Sequence, residues 1–178
     1  MARYSLHAIG SDRPGIVAQV TGVLADAGCN LEDSRMSILY GQFAITLIVE
    51  TPPELLAAAF EHSFDDVQRE FDLLIAIRPL VDQVFDDERD EVIMVSVHGA
   101  DRPGIVSQVS AGVAELDGNI IDLVTHKIEA QGGASYVLLL SVATSPRCTE
   151  ELLRVRLGEI SARLGVTCVV HASSNELL

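Results

Sequence analysis

Residues 12–17 read Asp-Arg-Pro-Gly-Ile-Val, and the same six residues stand again at 101–106. The offset is 89 residues in a chain of 178, half its length. That spacing is the mark of two copies of one domain. Each copy has fewer than ninety residues, and a domain that small has a thin core. The halves are therefore expected to pack on each other or on another chain.

Both copies place the repeated turn between a strand-like and a helix-like run. In the first, Tyr4 to Gly10 alternates as a strand does, and Gly10-Ser11 signals a turn. Ile16, Val17, Val20, Val23, Leu24 and Ala27 then recur at helical spacing, with Gly28 as the stop. Pro14 suits the first helical position, and Asp12 stands where a capping side chain would. A second strand runs from Cys29 to about Ile38, and the apolar run Phe43 to Val49 makes a hairpin with it. Thr51-Pro52-Pro53 opens one helix carrying Leu56, Phe60, Phe64, Val67 and Phe71, and Leu73 to Ile77 is the last strand.

The second copy repeats this plan. Val92 to Gly99 precedes the turn, and Ile105, Val106, Val109, Val113 and Leu116 stripe the helix. Asn119-Ile120 matches Asn30-Leu31 at the same offset. Gly132-Gly133 marks the hairpin, Tyr136 to Val142 the apolar strand, Thr149 to Leu164 the second helix and Thr167 to Val170 the last strand. The order β-α-β-β-α-β predicts an α+β fold: two tandem ferredoxin-like domains, each a four-stranded antiparallel sheet with both helices on one face. The boundaries expected are 1–80 and 91–178, joined by an acidic linker at 81–90.

Charge narrows the function. Residues 1–89 carry six basic and fifteen acidic side chains, and residues 90–178 carry six and eleven. Neither half can neutralise many phosphates, so direct nucleic-acid binding is not expected, nor docking on an anionic membrane. Cys29, Cys148 and Cys168 form no CxxC, and the N-terminal residues lack a signal-like apolar run, so a reduced, cytoplasmic chain is expected.

The repeated turn is the candidate site. A helix N-terminus offers N–H donors and partial positive charge to a carboxylate. Gly15 permits close approach of a ligand to the backbone. Asp12 can accept from an ammonium, and Asn30, with Leu31 beside it on the next strand, can donate and accept together. Arg13 and Pro14 complete the turn. The second copy offers Asp101, Arg102, Pro103, Gly104, Asn119 and Ile120 in the same places. A carboxylate receptor beside ammonium acceptors is what a free amino acid requires. The purely structural alternative has Asp12 capping the helix, Gly15 allowing close packing and Asn30 capping a turn.

On these residues, the DRPGIV turn, the apolar helix and the Asn-Leu or Asn-Ile pair, the chain resembles a tandem pair of ACT domains over roughly residues 3–80 and 91–172. The resemblance implies a regulatory module that binds amino acids or related metabolites between domains, with Asp12, Gly15, Asn30 and Leu31 among the contacts. It also implies a partner regulator under its control rather than DNA binding by the chain itself. Many ACT sites carry Asn where this chain has Asp12 and Asp101; an Asp favours a cationic group more strongly. A homodimer is the simplest assembly.

Three other readings compete with this one. An enzyme is not expected: His7, His62, His98, His126 and His171 are scattered, no HExxH, GxSxG or GxxxxGK[ST] is present, and no cofactor or metal is implied. An RNA-recognition sheet shares the element order but needs aromatic and basic residues on its central strands; YGQFAITL, residues 40–47, has neither Lys nor Arg. The remaining rival is a ligand-independent assembly module joined through sheet edges.

Overall fold

The computed structural model describes residues 2–80, 92–130 and 133–172; the expected linker at 81–90 and Gly132 of the expected hairpin lie outside them. The chain divides into two compact units, Met1–Phe85 and Asp86–Leu178. The first unit runs β1 (Ala2–Ser11), α1 (Ile16–Asp26), β2 (Asn30–Leu39), β3 (Gln42–Thr51), α2 (Ala57–His62), α3 (Asp65–Phe71) and β4 (Leu74–Pro79). The second runs β5 (Val92–Ala100), α4 (Ile105–Ala114), β6 (Asn119–Ala130), β7 (Gly133–Ala143), α5 (Glu150–Leu164) and β8 (Thr167–Ala172). The sheets have the order β2-β3-β1-β4 and β6-β7-β5-β8, with every pairing antiparallel. This is the split βαβ fold that the element order predicts.

Alternation decides which strand face is buried. Tyr4, Leu6 and Ala8 of β1 and Phe43, Ile45, Leu47 and Val49 of β3 point into the helix layer and are buried, joined by Ile16, Val20 and Leu24 of α1. Ile93, Val95 and Val97, Leu138, Leu140 and Val142, and Ile105, Val109 and Val113 do the same in the second unit. The opposite sheet face of the first unit is polar at its centre, where the His7 ring lies 3.1 Å from Thr46 Oγ1 and 3.3 Å from Ser5 Oγ. Phe43 is buried and Tyr136 packs against the second core. Neither of these two aromatics stands on the open face of its sheet.

Two local expectations are corrected. The helix predicted from Pro53 onward is two short helices, α2 and α3, broken at Ser63-Phe64. The Ser63 hydroxyl donates to Phe60 O at 2.7 Å, competing with the next helical bond. Leu56, expected on the apolar stripe, is exposed, and Leu55 packs on the core instead. Secondly, α1 begins at Ile16 rather than Pro14, and Asp12 does not cap it.

The hairpin between β2 and β3 turns through Tyr40 and Gly41, both at positive φ (51° and 74°). Two central residues of that hand make the I′-type turn that matches strand twist. The repeated turns are wedged against the connection entering the last strand. A Cβ on Gly10 would stand 2.6 Å from Leu73 Cδ2 and 3.0 Å from Asp72 O; one on Gly99 would stand 2.6 Å from Val166 Cγ1 and 3.2 Å from Val166 Cα. Because main-chain atoms cannot yield as a side-chain tip does, Gly99→Ala is expected to destabilise the second unit by about 1–3 kcal/mol. Gly158→Ala on α5 meets nothing within 4 Å and should stabilise by about 0.5–1 kcal/mol. Urea unfolding of the two variants checks the contrast.

Candidate functional site

Gly15 and Gly104 are the N-caps of α1 and α4, at φ 98° and 92°, and neither helix has a side-chain cap bond. The turn needs glycine there because other residues are strained at such φ. The first N–H groups of both helices thus have no intrahelical partner and no capping side chain. Asp12, Arg13, Pro14 and Gly15 are exposed, as are Asp101, Arg102, Pro103 and Gly104. The Asp12 amide donates to Gly41 O at 2.8 Å, so the turn abuts the β2–β3 hairpin tip.

The two turns share a backbone but not a set of contacts. Asp101 pairs with Lys127 Nζ of β6 at 3.3 Å, and Arg102 Nη1 donates to Leu164 O at 2.9 Å, closing the last turn of α5. Among the described residues, the side chains of Asp12 and Arg13 have no hydrogen-bond or ion-pair partner.

Register shows why. Ser11 and Leu39 both oppose Gln42, and Ala100 and Ile128 both oppose Ser135. Leu39 therefore corresponds to Ile128, Ile38 to Lys127 and Met36 to Thr125. The structural repeat continues past Thr125, where sequence similarity fades. Met36 and Ile38 oppose the buried Ile45 and Phe43, on the helix side of the sheet, yet are about half exposed, at 47% and 48%.

Within one domain, Asn30 and Leu31 do not adjoin the turn. Asn30 opposes Glu50, and Glu50 opposes Arg3, at the far end of the sheet from Ser11. Eight residues of strand separate the two levels, about 25 Å at a strand's rise per residue. Asn119, opposite Ala143 and level with Val92, is likewise remote from Asp101. The cause is topological: α1 and α4 carry the chain back along the sheet before the next strand begins. Within one domain the turn and the Asn-Leu or Asn-Ile pair are two separate surfaces. Both strand starts carry a bulge, between Leu31 and Asp33 and between Ile120 and Asp122, and Arg3 pairs with Glu32 at 3.0 Å beside the first.

Burial raises the thiol pKa of Cys29, Cys148 and Cys168, the last to about 11, so all three are poor nucleophiles at neutral pH. No described group of three or more His, Cys, Asp or Glu residues is placed to hold a metal ion. No helix among the described residues is long and apolar enough to cross a membrane.

The sequence shows the β2–β3 hairpin but not that its tip meets the turn, nor that Lys127 stands beside Asp101. The signal for Lys127 was present: it stands 89 residues after Ile38.

The ACT domain family model matches residues 6–77 and again 91–171. The glycine cleavage system transcriptional repressor of Escherichia coli is 25% identical over 175 residues, spanning 95% of this chain and 91% of that protein. A UPF0237 protein of Methanosarcina acetivorans is 40% identical over 65 residues, 36% of this chain and 71% of its own. A solved structure of a protein of unknown function from Galdieria sulphuraria superposes with a TM-score of 0.81 at 23% identity, covering 97% of this chain and 99% of that one. With both halves matched by one family model and each built as a complete βαββαβ domain, the chain belongs to the ACT domain family as a tandem pair.

Proposed function

We propose that this chain is a small-molecule-sensing regulatory protein. It binds a free amino acid or a related zwitterion at ACT domain interfaces and modulates a partner protein, a transcriptional regulator of amino-acid metabolism. The observation that carries the reading is the turn itself. Twice, a left-handed glycine starts a helix that no side chain caps, with an aspartate three residues ahead. Uncapped N–H donors suit a carboxylate and the aspartate suits an ammonium. The relation to the glycine cleavage system transcriptional repressor supports the link to transcription, and the acidity of both halves favours action through a partner over DNA contact.

A ligand touching both an Asp12-type turn and an Asn30-type strand start must draw them from different domains, since one domain holds them at opposite ends. A homodimer is the assembly proposed. Calorimetry against the common amino acids, glycine included, is the test. The expected result is saturable heat from at least one of them, with a dimer by light scattering.

A second reading has an observation of its own. All ten residues of the edge strand β2 are exposed, Leu31, Met36, Ile38 and Leu39 among them. A strand at the edge of its sheet that exposes apolar side chains can serve as an assembly surface. A ligand-independent assembly module would give the dimer with no heat and no thermal shift across the panel.

A further inference from the structure

We infer that Lys127 is a tethered substitute for a ligand's ammonium group, so that the second turn is closed to amino acids and the first is the turn that binds them. The inference rests on the ligand-binding reading above and specifies which copy acts. Both turns present the same aspartate on the same backbone, but Lys127 Nζ stands 3.3 Å from Asp101 and Arg102 is bound to Leu164 O. An ammonium from the chain itself thus holds the position assigned to the ligand's ammonium. A tethered group of this kind competes at an effective concentration on the order of millimolar. A free amino acid must displace it before its own ammonium can reach Asp101, which lowers its affinity for the second turn relative to the first.

In the first copy Ile38 takes the register position of Lys127 and cannot supply a charge, and Met36 takes that of Thr125. Both are about half exposed, on the side of β2 that faces the helix layer. A ligand whose ammonium meets Asp12 can lay an apolar side chain against them. The ligand class assigned is therefore an amino acid with an aliphatic side chain, with one site per chain.

Exchanging the two residues tests this, because both positions are exposed and neither belongs to a core. L-Leucine is titrated into the whole chain by calorimetry, with glycine as the comparison. The wild-type chain is expected to bind one leucine. Lys127→Ile should bind two, and Ile38→Lys should lose at least tenfold in affinity while unfolding at an unchanged temperature. Lys127→Gln removes the charge without adding apolar surface to the strand edge and should also bind two.

Two equivalent sites in the wild-type chain, one site in both Lys127 variants, or undiminished binding by Ile38→Lys would overturn the inference and leave the ligand reading standing. Binding of glycine but not leucine would overturn the aliphatic assignment. No heat from any amino acid would remove the ligand reading and this inference with it.

Discussion

Phe60→Ala is expected to lower the unfolding free energy of the first unit by about 3–5 kcal/mol, whereas Leu56→Ala, four residues earlier, should change it by less than about 0.5 kcal/mol. Phe60 is fully buried between two other rings. Its centroid lies 5.2 Å from Tyr4 and 5.6 Å from Phe64, the latter edge-on. The first core is otherwise mostly aliphatic, so removing this ring leaves a cavity that α2, only six residues long, is poorly placed to fill. Leu56 is 74% exposed and has little burial to lose. Urea unfolding followed by far-ultraviolet circular dichroism measures both. Equal losses would restore the single continuous helix that the spacing of the two residues suggests.

That pair of residues also shows where the sequence is and is not informative. Leu56, Phe60, Phe64, Val67 and Phe71 satisfy one helical period, and periodicity cannot see a break that preserves the direction of the face. The break depends on the Ser63 hydroxyl meeting its own helix carbonyl, a contact of geometry rather than pattern. The strands were legible for the opposite reason: alternation fixes a face only in one register, and the buried sets on β1, β3, β5 and β7 follow it residue by residue. The turn was legible because glycine is uniquely suited to the left-handed N-cap.

The expected neighbourhood of that turn was not legible from motif spacing. Asn30 follows Gly15 closely in sequence, yet the intervening helix returns the chain to the far end of the sheet. The difference between the two turns was hidden as well. It depends on Lys127, which reaches Asp101 from β6, across the intervening strand β7.

Asp12→Ala is expected to weaken amino-acid binding roughly tenfold to a hundredfold, the effect of losing a charge-assisted hydrogen bond, and to leave the unfolding temperature unchanged. The second half of this expectation follows from α1 having no side-chain cap bond and beginning at Ile16. Removing a true capping aspartate would cost about 0.5–2 kcal/mol, a visible drop in unfolding temperature, without touching affinity. The two roles therefore predict opposite patterns. Asp101→Ala serves as the matched comparison: it breaks the Lys127 pair, whose exposure on both sides makes its contribution to stability small, and should leave binding at the first turn intact. Calorimetry and thermal unfolding on the same two variants separate ligand contact from helix start. A loss of stability with normal binding in Asp12→Ala would assign the aspartate to the fold and leave the uncapped N–H groups of α1 as the remaining basis for a site.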